Sequence, residues 1–184
     1  TPTGATQAEC LGCLRRPPPW RAAFAPFAYS GELATAIRRF KLGPEPTLAH
    51  PLARLLAPSL QHIPGIDAFV PVPLHPKRLR RREFNQSSLL IRAARHRRDP
   101  PVIEALDRVR DTPPQGTLDA AARRDNVKHA FAVAPRHRPS VRGAALCLVD
   151  DVLTTGATAE ACTAALLEAG AARVDVLTLA RTLP

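Results

Sequence analysis

Methionine is absent from all 184 residues, and aromatic side chains are scarce, with one Trp, one Tyr and six Phe. The missing methionine, initiator included, leads to the expectation that the chain is a fragment or a processed form. So few rings weigh against single-stranded nucleic-acid binding by base stacking, which needs a platform of aromatics. Long uncharged apolar runs are also missing. That gives no membrane span and no secretory signal, and it makes the cytosol the expected compartment. No internal repeat occurs. Cysteine is sparse, at four residues. Cys10 and Cys13 form a C-x-x-C pair, whereas Cys147 and Cys162 fall in a predicted strand and helix, where a cysteine is usually a small apolar side chain. A structural zinc site takes four Cys or His ligands. The pair is therefore either half of a truncated zinc ribbon or incidental, and the late start of the chain favours the half ribbon.

What is abundant is positive charge. Lys and Arg number 26 against 16 Asp and Glu, a formal net charge of +10. Much of it is arginine in short clusters at residues 15–16, 38–39, 77–82, 95–98 and 123–124. Arginine's planar fork suits bidentate phosphate contacts. An alanine-, proline- and arginine-rich chain can also owe such charge to compositional bias, so charge alone supports an anionic partner and nothing sharper.

The length suits one medium domain with a small appendage. Residues 1–20 hold the cysteine pair and a stiff linker through Pro17, Pro18 and Pro19 to Trp20. The spacing predicts a short strand over 23–29, helices over 32–41 and 49–60, and a strand over 67–72 that runs into a proline-rich turn. The basic cluster 77–82 is expected to open a helix from 84 to about 95. A proline-containing segment over 108–116 leads to a helix over 118–127. After a loop at 134–143 come a central strand, a helix over 158–169 stopped by Gly170, and a last strand over 173–178. Alternating strands and helices predict an α/β fold with a mainly parallel sheet flanked by helices, with ligands beyond the carboxyl ends of its strands.

Residues 146–158 carry the most information. An apolar run ends in Asp150 and Asp151. A turn with Thr154, Thr155 and Gly156 follows, and then a helix begins at Ala157 and Thr158. Free N–H groups at a helix start bind phosphate, and threonine hydroxyls add donors. Carboxylates beside a phosphate repel it unless a divalent cation or ribose hydroxyls intervene. A phosphorylated ribose satisfies both halves. Adjacent acids after a buried strand also occur in receiver-type domains, and Thr-Gly turns begin ordinary helices. No lysine lies between Asp150 and Glu160, which removes a Walker-type loop.

Two further segments are basic. Residues 77–82 read either as a solvated helix start or, because cations at a helix N-terminus oppose its dipole, as the wall of a polyanion site. The second reading is favoured. Residues 108–126 fit equally an ordinary surface loop with an amphipathic helix and a mobile basic flap.

Together these segments resemble the type I phosphoribosyltransferases and, within them, the ComF family of competence-associated proteins with its gluconate-utilisation-type relatives. The matching residues are Cys10 and Cys13, Arg16 to Trp20, Tyr29, Phe40 and Lys41, the Val70 to Leu74 segment, and Arg82 with Asn85 and Gln86. They continue with Arg108, Arg110, Thr112 and Gln115, then Arg123 to Asn126 with Phe131, the Val149 to Thr158 motif, and Arg181 with Thr182.

The resemblance implies a type I phosphoribosyltransferase domain over 21–184, its hood over about 23–62, behind a zinc-ribbon remnant. It implies that Asp150 and Asp151 contact the ribose hydroxyls of phosphoribosyl pyrophosphate (PRPP), directly or through Mg2+, and that Thr154, Thr155, Gly156, Ala157 and Thr158 cradle the 5′-phosphate. Pro73, Leu74, Lys77, Arg78 and Arg82 would face the pyrophosphate. Arg108 and Arg110 would join the acid pair in catalysis, while Gln115, Arg123, Arg124 and Asn126 belong to a flexible loop that closes over the ligand. Zn2+ at Cys10 and Cys13 would need a second ligand pair upstream, which relatives carry. Relatives also have glycine where this chain has Glu83, and a carboxylate there would either weaken pyrophosphate binding or pair with a neighbouring arginine.

The activity implied is transfer of phosphoribose to an unknown acceptor, linked to DNA uptake. The alternatives are a non-catalytic accessory of DNA uptake that binds single-stranded DNA, and a PRPP-sensing regulator.

Overall fold

The computed structural model describes residues 16–43, 45–112 and 120–183, the side chains at 120, 121 and 123 excepted. Gln115 and the Cys10–Cys13 pair lie outside the described residues. The main sheet is parallel throughout. Strands β1 (Ala23–Phe24) and β2 (Phe27–Ala28) both lie along one edge of β7 (Arg173–Arg181), followed by β6 (Ala145–Leu153) and β3 (Ala68–Pro71). The single strand expected over 23–29 is thus two short pieces on the same edge. Pro26 lies between them and has no N–H to give a ladder.

Because successive strand residues face opposite sides, β6 sends Leu146 and Leu148 to one face and Cys147 and Val149 to the other. The first face packs, with Val174 and Val176, against Cys162 and Leu166 of α7 (Ala157–Glu168). It is completed by the antiparallel hairpin of β4 (Leu106–Arg108) and β5 (Phe131–Val133). The second face is covered by α1 (Gly31–Leu42), α2 (Ala49–Leu56) and α4 (Gln86–Ala94), through Ile37, Phe40, Leu52, Leu56, Leu90 and Ile91. A sheet buried on both faces needs near-continuous apolar strands. The run Leu146–Val149, fully buried at every position, is one. This is the α/β architecture with a parallel sheet flanked by helices that the alternation of elements predicts.

Several local expectations need correction. The basic cluster does not open the helix that follows it. It forms its own short helix, α3 (Pro76–Arg82), which ends at Glu83 with φ +67°. A separate helix, α4, then starts behind Asn85, whose Oδ1 accepts the N–H groups of Ser87 at 3.0 Å and Ser88 at 3.3 Å. Arg80, Arg81 and Arg82 therefore occupy the last turn of α3. There the macrodipole favours cations, so these three need no bound anion to offset it, whereas Lys77 and Arg78 stay in the first turn. Strand β6 runs through the acid pair to Leu153 rather than ending at it. The loop expected over 134–143 contains a 3-10 turn, Pro135–His137, and the short helix α6 (Arg138–Val141). The predicted helix over 118–127 is described as α5 (Ala120–Val127). Among the described residues no helix is long and apolar enough to cross a membrane.

Candidate functional site

The site is built where β3 and β6 part. Their last paired residues are Pro71 and Val149, and the Val72 N–H still donates to the Val149 carbonyl at 2.9 Å. Beyond that point β6 continues along β7, pairing Asp150 with Thr178 and Val152 with Ala180, while β3 turns away through buried Pro73 and half-buried Leu74 into α3. Asn85 Nδ2 holds the departing chain by donating to the Val72 carbonyl at 3.0 Å. The acid pair and the basic segment thus start from adjacent strand ends.

Asp151 is buried, and its Oδ1 accepts from Lys41 Nζ at 2.8 Å. Asp150 Oδ1 accepts from the buried Ser87 hydroxyl at 3.0 Å and from the Asp151 N–H at 2.9 Å. Part of Asp150 stays open to solvent, but the surroundings of its carboxyl group are dense. Burial foremost, then the Asp151 charge, pushes its pKa up to about 7, against the opposing pull of Lys41, the Asp151 N–H and Ser87. Burial acts to lower the Lys41 pKa, but the Asp151 and Asp150 carboxylates outweigh it, and the net direction is upward.

The turn after β6 leads to α7, whose N-cap is Gly156 at φ +81° with no side-chain cap. A helix start without a side-chain cap is a common place for an anion to bind. Thr154 is exposed, and the Thr155 Oγ1 is buried with no hydrogen-bond partner among the described residues. Ala157 is buried at the helix start and Thr158 follows in the first turn. Trp20 lies against Gly156, where an added Cβ would meet the ring at 3.1 Å. Glu160, one turn into α7, pairs with Arg16 at 3.7 Å and Arg124 at 3.4 Å.

On the β3 side, His75 and Lys77 face Asp111 at 3.5 and 3.3 Å, and an Arg78 Nη2 donates to the Thr112 carbonyl. Arg108 is buried, stacks on the Phe131 ring at 5.3 Å and donates to the Thr112 hydroxyl. Its Nε is buried with no hydrogen-bond partner among the described residues. Burial, then Arg78, lowers the Arg108 pKa, while Asp111 and Asp150 act the other way. Arg82 donates to Gln86 at 3.3 Å; burial foremost lowers its pKa and Asp151 opposes that. Both guanidiniums are therefore close enough to feel the acid pair.

Of the residues singled out from sequence, the structure brings together Asp150, Asp151, Arg78, Arg82 and Arg108 around the ends of β3 and β6, with the 154–158 turn beside them. Arg110 is not among them, being exposed and donating to the Lys128 carbonyl at 2.6 Å. Arg124 pairs with α7, Asn126 is half-buried on α5, and only the backbone of Arg123 is described, also on α5. A cleft of about 560 Å³ lies between the proline linker, α5 and the outer face of α7, beside the turn and not over the acids. Lys41 and Trp20 had no assigned role in the sequence, where only their resemblance to family positions marked them. Ser87 stood out only as a neutral hydrogen-bonding group.

Mg2+ is commonly held by one or two carboxylates together with substrate oxygens. Here one oxygen of each acid is engaged by protein donors, which leaves the other for an ion or a diol. Among the described residues no group of three or more His, Cys, Asp or Glu side chains could form an all-protein metal cage.

A parallel sheet flanked by helices, with an acid pair, a glycine turn and a helix start at its carboxyl edge, defines an α/β protein. No protein-family model matches the chain. The DNA utilization protein YhgH of Salmonella typhi is 36% identical over 189 residues, spanning 99% of this chain and 82% of that protein. Its namesake in Escherichia coli strain K12 is 38% identical over 181 residues, 95% and 78% of the two chains. Competence protein F of Haemophilus influenzae is 35% identical over 182 residues, 94% and 78%. The chain belongs to the ComF family. Among solved structures, the glutamine phosphoribosylpyrophosphate amidotransferase of B. subtilis, complexed with ADP and GMP, overlaps 78% of this chain and 30% of that one, with a TM-score of 0.48 and 19% identity.

Proposed function

We propose that the chain binds PRPP at the junction of β3 and β6 and transfers its phosphoribosyl group to an acceptor, releasing pyrophosphate. The observation that carries this reading is the register of Pro71 with Val149, from which an acid pair and a basic segment leave as neighbours. The 5′-phosphate sits on the 154–158 turn and the α7 N-terminus. The ribose hydroxyls donate to the free oxygens of Asp150 and Asp151. The pyrophosphate faces Lys77, Arg78, Arg82 and Arg108. Bound Mg2+ supplies charge neutralisation to the departing pyrophosphate.

No nucleophilic side chain is required. The C1–O bond to pyrophosphate breaks with cationic character at C1, the acceptor's lone pair forms the new bond, and its proton passes to solvent or to a carboxylate. The chain contributes positioning, fixed charge and exclusion of water. Pyrophosphate release with candidate acceptors, alongside calorimetric PRPP binding, tests the reading. Wild-type binding lost in Asp151→Asn supports it, and absence of both binding and turnover removes it.

A second role is supported by the +10 charge and by the names of the relatives, DNA utilization protein and competence protein. In it the protein serves DNA uptake by contacting single-stranded DNA, with PRPP as a sensed ligand or none at all. DNA binding that weakens steeply with salt and survives Asp151→Asn favours this role.

A further inference from the structure

Lys41 reaches the acid pair from α1, which packs on the same face of the sheet as α2 and α4. It lies in the last turn of α1, on the C-terminal end where the helix dipole favours a cation. Phe40, fully buried, packs on the Phe84 ring at 5.7 Å and fixes the end of the helix. Gln86 Nε2 donates to the Lys41 carbonyl at 3.5 Å. The ammonium is therefore delivered by a packed element. Its side chain is 32% exposed, against 6% for the Asp151 side chain it meets. Most surface lysine pairs contribute little because both partners are solvated and mobile. Here one partner is buried, and a like-charged acid stands beside it in the chain.

A sugar phosphate entering this site brings negative charge to the α7 N-terminus, next to two carboxylates. A cation in contact with the carboxylates offsets that repulsion beyond what ribose hydroxyls do, and Lys41 is in such contact. We propose that Lys41 is the resident counter-ion of the ribose side, so that the ribose-5-phosphate half of the ligand seats without a divalent cation there. This rests on the PRPP reading of the site. Magnesium remains available to the pyrophosphate half, which faces the other edge.

The probe is ribose 5-phosphate, titrated calorimetrically into the full chain in excess EDTA and in excess magnesium. The wild type is expected to bind with affinities within about threefold of each other. Lys41→Met is expected to lose about tenfold or more in EDTA and to recover most of it with magnesium, about what one partly buried charge contact is worth. Lys41→Arg, which keeps the charge, should follow the wild type. A merely structural ion pair would lower thermal stability in Lys41→Met without making binding depend on magnesium, and that result overturns the proposal. So does wild-type binding that needs magnesium, which leaves the sugar-phosphate reading standing. No wild-type binding in either condition overturns that reading, and the proposal with it. If Lys41→Met does not fold, wild-type binding that needs magnesium still overturns the proposal, and Lys41→Gln replaces the Met variant as the test of the charge.

Discussion

Trp20 closes over Gly156: a Cβ built on the glycine would meet the Trp20 Cη2 at 3.1 Å, and the glycine backbone holds φ +81°. The proline linker is thus seated on the turn that heads α7. Gly156→Ala is expected to cost roughly 1–3 kcal/mol, from the left-handed backbone and the displaced ring together. Trp20→Ala in the same chain should relieve the ring contact but not the backbone strain. Urea melts of the two single variants and the double should therefore show a double-mutant penalty smaller than the sum.

Trp20 is also the only tryptophan in the sequence. Its emission should change when an anion occupies the 154–158 turn. A titration with ribose 5-phosphate that binds by calorimetry but leaves the emission unchanged would place the anion elsewhere.

Glu83 caps α3 at φ +67°, and its N–H donates to the Leu79 carbonyl at 2.7 Å. A helix cap in this conformation is the position glycine fills without strain, which gives a backbone reason for the glycine the resemblance expects. Glu83→Gly should raise stability by about 1 kcal/mol in denaturant melts. A fall in stability would mean that the carboxylate itself contributes.

Asp150 sets a pH dependence with a definite sign. Its pKa in the fold is raised to about 7 from 3.8, chiefly by burial and then by Asp151. The native state therefore holds a proton that the unfolded chain releases, and stability from this group is present below pH 4 and lost as pH rises through about 7. Asp150→Asn removes that slope and should stabilise the protein at pH 8 by roughly 1–3 kcal/mol relative to the wild type. Ligand binding runs the other way. Ribose hydroxyls donate better to the ionised carboxylate, so affinity should rise more steeply between pH 6 and 8 in the wild type than in the variant, whose remaining slope is that of the ligand's own phosphate.

Asp111 occupies a place among cations that an anion could take. The Lys77 hydrogen bond, with smaller help from His75 and Arg78, holds its pKa below the usual carboxylate value. Asp111→Asn is expected to tighten inorganic pyrophosphate binding about threefold by releasing Lys77. Weaker binding would show instead that the contact orders the basic segment for the ligand.

The Asp150–Thr158 segment is legible because it is contiguous. Asp150 through Thr158 sit on one strand end, one turn and one helix start. The α/β class is legible for the same reason, since its periods alternate along the chain. What tertiary contact supplies is not. Lys41, Ser87 and Trp20 meet the acids and the turn only after the sheet has formed, and nothing near them in sequence names their partners. The break between α3 and α4 was hidden because Glu83 takes a left-handed conformation that sequence patterns assign to glycine or asparagine. The β4–β5 hairpin left no trace, as three-residue strands are too short to show a period of two.

The register of Pro71 with Val149 has a thermodynamic consequence. The two halves of the site lie on strands far apart in the chain and meet only in the native state, so the unfolded polypeptide offers a ligand no partial site. Any molecule held across that junction binds the folded form alone, and its binding free energy becomes resistance to unfolding. Heating the protein with candidate compounds then ranks ligands by rise in melting temperature, with no need to know the acceptor or to detect a product.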